Sequence, residues 1–166
     1  MSMSINKKIY CKSKKLLRFF INDEKSYVHW GLLSIIILFY TYRTLFYLDN
    51  NPLTPDAITT YLPFAQKVIN QGFSFFSTAE SLNASPLSYL WVALFKADVS
   101  LVRYVNLILG IIMVILIYNL GRQLHSSAVG LVAAFLFARS QLLIPWIPTL
   151  LSEPTFYFFT LLWFWA

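Results

Sequence analysis

Long apolar segments constrain the fold of this chain more than any other feature of its sequence. They cover 30–48, 101–120 and 128–147, and a fourth begins near residue 154. A helix over 30–48 would be roughly 28 Å long, about the thickness of the hydrocarbon core of a bilayer. With 58% apolar and 18% aromatic residues, the chain is also too apolar for a soluble domain of 166 residues. We therefore predict an all-α polytopic membrane protein with about four transmembrane helices, the last of them truncated.

Basic residues are concentrated at the N-terminus. The formal net charge is +6, and seven of the thirteen Lys and Arg residues lie in the first 25 positions, next to an apolar segment. This placement favours contact with anionic lipid over contact with nucleic acid. The positive-inside rule then places the N-terminus in the cytoplasm. We predict a basic cytoplasmic tail at 1–29, which is either an amphipathic helix on the membrane or a disordered segment.

The longest polar break in the sequence is the loop at 49–100, which an inside N-terminus places on the outer face of the membrane. Apolar residues at spacings of three and four predict an amphipathic helix over 57–70, ended by Gly72. The segment 86–95 is apolar and aromatic and predicts a second surface helix. Asp56 precedes the first of these helices, where an aspartate is a preferred N-cap residue whatever the function.

Two arginines accompany the apolar segments. Arg103 lies near the outer end of the second segment, and Arg139 interrupts the middle of the third. A charge at membrane depth costs roughly 2.5 to 3.5 kcal/mol, so Arg139 should face the helix bundle, a wet cavity or a phosphate. Because guanidinium groups match phosphate geometry, both residues are candidates for phosphate binding. The alternatives are an interfacial anchor for Arg103 and a buried ion pair for Arg139.

Sequence motifs for nucleotide binding, metal binding and disulfide bonding are absent from this sequence. There is no Gly-rich phosphate loop and no spacing typical of metal ligands, and Cys11 is the only cysteine. These observations exclude cytoplasmic ATP chemistry of the phosphate-loop type and a disulfide framework. Three membrane crossings place Glu153 on the same side as Asp56. The two acidic outer loops are therefore the candidate site.

A series of short motifs carries a family resemblance. The series consists of Asp56 with Tyr61, Ala65 and Gly72, then SPLSYLW at 85–91, RYVNLILG at 103–110, LGRQL at 120–124 and LSEP at 151–154. In this order the motifs resemble the N-terminal part of the integral-membrane glycosyltransferases of the GT-C superfamily, especially the protein O-mannosyltransferases and the lipid A aminoarabinose transferases. The resemblance covers 30–166 as part of a GT-C-like transmembrane domain.

The resemblance implies transfer of a sugar from a polyprenyl-phosphate carrier to a lipid, glycan or protein acceptor at the outer face. It places the catalytic residues at Asp56, as the base, and at Glu153, which would position the acceptor or a divalent cation. Arg103 and Arg139 would bind the donor phosphate, and Tyr61 would line a sugar or lipid groove. No other cofactor is implied.

Two further aromatic residues, Tyr89 and Trp91, share the groove prediction with Tyr61. Aromatic side chains are also common at membrane interfaces whatever the function, so an interfacial role for all three stays open. The family often has a glutamate after the loop aspartate, whereas this chain has Ala57. That departure leaves the sugar and the acceptor open.

Other expectations concern the whole chain. The apolar run that reaches Ala166 without polar flanking residues suggests an N-terminal fragment that is inactive alone. A noncatalytic membrane scaffold or a transporter fragment is the alternative function. The lack of disulfides favours the plasma (inner) membrane of a prokaryote, crossed several times, with membrane lipids as further partners and no nucleic acid.

Overall fold

The structure is a computed structural model that describes residues 26–50, 53–79, 81, 85–140, 150 and 152–166, and this described part is helical without strands. Its α-helices are α1 (Ser26–Asn50), α2 (Leu62–Gln71), α3 (Pro86–Leu94), α4 (Val99–Leu124), α5 (Ser127–Arg139) and α6 (Ser152–Trp165). A π-helical turn at Ala57–Tyr61 precedes α2, and a 3-10 helix at Gly72–Ser77 follows it. Residues 26–29 of the predicted tail belong to α1, and the rest of the tail lies outside the described residues.

Helices α1, α4, α5 and α6 form a bundle in which α4 contacts the other three. Its buried interior, which we call the bundle core, contains side chains from α1, α4 and α5. The members are Leu33, Ile36, Tyr40, Leu107, Met113, Val114, Tyr118, Leu131, Ala134 and Ala138. Most of them are aliphatic or small, and α6 contributes partly buried rings at the edge.

Glycines bring the backbones of α4 and α5 together. A Cβ atom on Gly121 would lie 2.7 Å from the Cα of Gly130, and one on Gly130 would collide with the carbonyl oxygen of Tyr118. Small residues permit this approach, and Ala134 and Ala138 are also fully buried on α5. The small residues Ala128, Gly130, Ala133, Ala134 and Ala138 of the third apolar segment predict a close helix approach, and the structure confirms it.

Two helices meet the length and composition of a membrane span. They are Tyr27–Asn50, with 24 residues, and Val99–Leu124, with 26 residues. Each contains a predicted apolar segment and extends it at both ends. Length and composition alone support membrane crossing by these two helices.

Helix α5 covers the first part of the third predicted span. It is apolar and ends at Arg139 after 13 residues, because the dihedral angles of Ser140 leave the helical region. Residues 141–147 of the predicted span lie outside the described part of the chain, so the full length of this span stays a prediction. Residues 125 and 126 separate α4 from α5.

The loop between α1 and α4 forms a compact unit that we call the outer assembly. It comprises the π-helical turn, α2, the 3-10 helix and α3, as predicted from the two apolar surface segments. Gly72 ends α2 with φ of 62°, and its N–H donates to the carbonyl oxygen of Val68. Glycine adopts this left-handed conformation without the steric cost of a Cβ atom. The prediction that Gly72 ends this helix is confirmed.

The interior of the outer assembly, which we call the aromatic core, is built around three rings. The centroids of Phe64, Phe75 and Tyr89 are 5.5 to 5.8 Å apart in edge-to-face pairs. The other buried members are Ala57, Ala65, Val92, Val102 and Leu150. Val102 belongs to α4 and Leu150 precedes α6, so the aromatic core joins the outer assembly to the bundle.

A polar contact also joins the two regions. The indole Nε1 of Trp91 on α3 donates to Oδ1 of Asn106 on α4 at 3.0 Å. Asn106 is buried, so this bond satisfies a polar atom that water does not reach. Trp91 thus has a structural contact within the fold.

Candidate functional site

The helical turn that carries Asp56 begins at Thr54. The hydroxyl of Thr54 accepts a hydrogen bond from the N–H of Ala57 at 3.3 Å, and its carbonyl oxygen accepts one from Ile58 at 3.2 Å. Thr54 is therefore the N-cap residue, and Pro55 occupies the first helical position, where its missing N–H costs nothing. Asp56 has helical dihedral angles and makes no capping hydrogen bond, so the predicted capping role of Asp56 is wrong.

The chain after Asp56 forms a π-helical turn. The N–H of Leu62 bonds to the carbonyl oxygen of Ala57, five residues earlier. A regular α-helix would be disturbed here, because Pro63 has no N–H and its ring would clash with the carbonyl group of Thr59. A wider turn accommodates the proline. Single π-helical turns inside helices are frequent at functional sites.

The two faces of this turn differ. Ala57 is fully buried in the aromatic core, while Asp56 is exposed. The hydroxyl of Thr59 donates to the carbonyl oxygen of Pro55 at 2.9 Å, which reinforces the turn. A glutamate at position 57 would bury a charged carboxylate without a partner, which is costly. Asp56 is left as the acid of this turn.

Glu153 lies in the first turn of α6 and is half-buried. Asp56 also lies in the first turn of its helix, and a carboxylate at such a position is favoured by the helix dipole. Ala57, next to Asp56, and Leu150, three residues before Glu153, are both buried in the aromatic core. Residues near each predicted acid in sequence therefore share one hydrophobic cluster, and α3 contacts both the π-helical turn and α6.

Arg103 is half-buried near the start of α4. Its Nη2 donates to the carbonyl oxygen of Leu48, in the last turn of α1, at 2.7 Å. The last carbonyl groups of a helix have no partner inside the helix, and a cation at that end is also favoured by the helix dipole. Arg103 therefore links α4 to the end of α1. Binding of a donor phosphate by Arg103 stays a prediction.

Arg139 is exposed at the end of α5, and its carbonyl oxygen accepts a hydrogen bond from Arg43, an arginine near the outer end of the first apolar segment that the sequence suggests can snorkel. Nη1 of Arg43 donates to this oxygen at 2.7 Å and to that of Ala138 at 3.3 Å. Arg43 thus caps α5 from α1. The sequence could not predict this contact, because the bond depends on how α1 and α5 pack. Phosphate binding by Arg139 also stays a prediction.

The predicted aromatic residues separate into two groups. Tyr61 is half-buried at the end of the π-helical turn, close to the exposed carboxylate in sequence. Tyr89 is fully buried, and its hydroxyl donates to the carbonyl oxygen of Ser81 at 3.2 Å, so the prediction that Tyr89 lines a substrate groove is wrong. Burial also raises the pKa of Tyr89.

Helices α3 and α6 border an open groove of about 520 Å³. It is lined by Leu87, Phe156, Phe159, Thr160 and Trp163. All but one of these side chains are apolar or aromatic, so the groove suits a hydrocarbon chain better than a sugar. Phe156 follows Glu153 by one helical turn, which places the groove next to the candidate site.

No group of three or more His, Cys, Asp or Glu residues that could hold a metal ion occurs among the residues the structure describes. Glu153 is the acid predicted to position the acceptor or a divalent cation, and that role stays a prediction. Comparisons with models of protein families, with curated proteins and with solved structures found no match to this chain.

Proposed function

We propose that this protein is a multi-pass membrane glycosyltransferase that moves a sugar from a polyprenyl-phosphate carrier to an acceptor at the outer face of the membrane. The observation that carries the proposal is the setting of Asp56. Its carboxylate is exposed and makes no capping hydrogen bond. The turn that carries it is anchored by the buried Ala57, and it is widened into a π-helical turn before Pro63. The family resemblance of the motifs adds to this observation.

The proposed membrane arrangement has about four crossings with a cytoplasmic N-terminus. Helices α1 and α4 have the required length and composition, and α5 and α6 would supply the other two crossings. The apolar side chains of Ile35 and Leu38 on α1 are 63% and 69% exposed, which suits contact with lipid. The basic N-terminal segment supports this orientation. The plasma membrane of a prokaryote is the proposed location.

In the proposed reaction, the oxygen of the acceptor hydroxyl attacks the anomeric carbon of the sugar. Asp56 accepts the proton of that hydroxyl at the same time. The bond from that carbon to the phosphate oxygen breaks, and the lipid phosphate leaves with the electron pair. The configuration at the anomeric carbon inverts. Glu153 positions the acceptor or a divalent cation, and Arg103 and Arg139 offset the charge of the phosphate. The groove between α3 and α6 would take the hydrocarbon chain of the donor.

The test is Asp56→Asn in the full-length enzyme, assayed in membranes from cells that express it, with a polyprenyl-phosphate-linked sugar as donor. Removing the proton acceptor should reduce the rate of transfer by about 100-fold or more. Insertion and melting temperature should stay unchanged, because the cap at Thr54 is intact. Asp49→Asn is the matched control, since Asp49 is an exposed aspartate at the end of α1, and it should retain activity.

Near-normal turnover by Asp56→Asn would contradict the proposal that Asp56 is the base. Glu153 would then be the candidate base. If the unsubstituted protein binds the donor but transfers no sugar, the result favours the alternative of a noncatalytic scaffold.

A further inference from the structure

A second polar feature lies on α1, apart from the proposed catalytic acids. Tyr42, Arg43, Phe46 and Tyr47 line a surface pocket of about 250 Å³. Tyr42 and Phe46 are one helical turn apart, as are Arg43 and Tyr47, so the pocket lies between two parallel ridges of the same helix. One guanidinium and two phenols therefore border a single depression.

The guanidinium of Arg43 is held in place by the protein. Its Nη1 bonds to the carbonyl oxygens at the end of α5, and its Cζ lies 5.6 Å from the centroid of the Phe39 ring. These contacts leave the Nη2 and Nε donors of the guanidinium available. In the described part of the chain, Arg43 forms no ion pair with a carboxylate. The positive charge is thus preorganised but not neutralised.

The surroundings of the pocket indicate the chemistry of its ligand. Tyr42 is 71% exposed and Phe46 is 57% exposed, on the helix that also exposes Ile35 and Leu38. If this face contacts lipid, an arginine without a counter-ion is costly, and an anionic group at the headgroup level would offset the cost. Phenol hydroxyls beside an arginine supply further donors for phosphate oxygens.

We propose that this pocket binds the phosphate of an anionic membrane phospholipid. Arg43 pairs with the phosphate, the hydroxyl groups of Tyr42 and Tyr47 donate to its oxygens, and Phe46 contacts the upper part of an acyl chain. The inference rests on the membrane placement in the proposed function but not on sugar transfer. It would give α1 a fixed lipid at the end where Arg43 also caps α5.

The experiment reconstitutes the chain into vesicles of phosphatidylcholine and phosphatidylglycerol and counts the phosphatidylglycerol that stays bound, by native mass spectrometry. Arg43→Gln should lower retention by about tenfold, because a charge-assisted bond is lost. Tyr47→Phe leaves the cap on α5 intact and should lower retention by about threefold. Tyr104→Phe is the matched control, since Tyr104 is an exposed tyrosine on α4, and it should retain the lipid.

Two further arms separate the possible failures. In the first, inorganic phosphate is added to vesicles of phosphatidylcholine alone, and the melting temperature is measured. The proposal is wrong, and the ligand is free phosphate, if phosphate stabilises the unsubstituted chain but not Arg43→Gln and if no phosphatidylglycerol is retained in the first experiment. Equal lipid retention by the unsubstituted chain and by both pocket variants would also overturn it. A chain that does not float with vesicles would instead refute the membrane placement on which both proposals depend.

Discussion

The bundle core and the aromatic core achieve close packing by different means. In the bundle, Gly121 and Gly130 bring two helix backbones into contact, and the buried side chains are mostly aliphatic. In the outer assembly, the rings of Phe64, Phe75 and Tyr89 pack edge to face. In the proposed membrane arrangement the bundle lies among lipid tails, which are as apolar as leucine, so burial of apolar surface favours helix association little and close backbone contact replaces it. In the same arrangement the outer assembly lies outside the hydrocarbon region and gains from removing large rings from water.

The largest expected effect comes from removing a ring of the aromatic core. Phe75→Ala should destabilise the outer assembly by about 3 to 5 kcal/mol, because the ring is fully buried and its loss leaves a cavity. Hydrogen exchange measured by mass spectrometry should show faster exchange over 57–71 and unchanged exchange over 107–120. Phe73→Ala, at a ring that is 87% exposed, is the control and should change little. Equal loss of protection in both regions would show that the two cores do not unfold separately.

An intermediate effect is expected from forcing α4 and α5 apart. Gly130→Ala should destabilise the bundle by about 1 to 3 kcal/mol, because the added methyl group meets backbone atoms that cannot rotate away. The measurement is the melting temperature in detergent, with hydrogen exchange over 101–120. The control is Gly31→Ala, since a Cβ atom there meets nothing within 4 Å. An unchanged melting temperature for Gly130→Ala would mean that this close crossing does not stabilise the bundle.

The smallest effect separates capping from catalysis in the turn that carries Asp56. Thr54→Ala should cost about 0.5 to 2 kcal/mol of local stability, because the N–H of Ala57 loses its partner. Thr54→Ser keeps a hydroxyl acceptor and is the control. Hydrogen exchange of the amide groups at 57–61 should rise for Thr54→Ala and stay unchanged for Asp56→Asn. Faster exchange for Asp56→Asn than for Thr54→Ala would show that Asp56, and not Thr54, caps the turn.

Most helices of this fold could be predicted from local sequence patterns. The segments at 30–48, 57–70 and 101–120 lie within helical regions, and 86–95 does so except for Phe95, because apolar spacing and length depend on neighbouring residues alone. The end of α5 at Arg139 falls inside the third predicted segment, 128–147, because the composition of that segment does not show where the backbone leaves the helix. Apolar composition indicates burial or lipid contact, but it does not specify the last hydrogen bond of a helix.

The candidate site was predictable in part. The order of Thr54, Pro55 and Asp56 contains the usual signals for an N-cap followed by a proline at the first helical position, so the correct cap could have been found from the sequence. The burial of Ala57 could not, because it depends on the rings of Phe75 and Tyr89 brought together by the loop. The exclusion of Tyr89 from a substrate groove has the same cause.

The sequence by itself determined the apolar segments, the surface helices and the side chains available for chemistry, because hydrophobicity and helix formation act over a few neighbouring residues. Only the tertiary structure decided that Arg103 bonds to the end of α1 and that Arg43 bonds to the end of α5. These partners are 55 and 96 residues apart in the chain. A helix leaves its last carbonyl groups unpaired wherever it ends, and which arginine reaches them depends on how the helices pack.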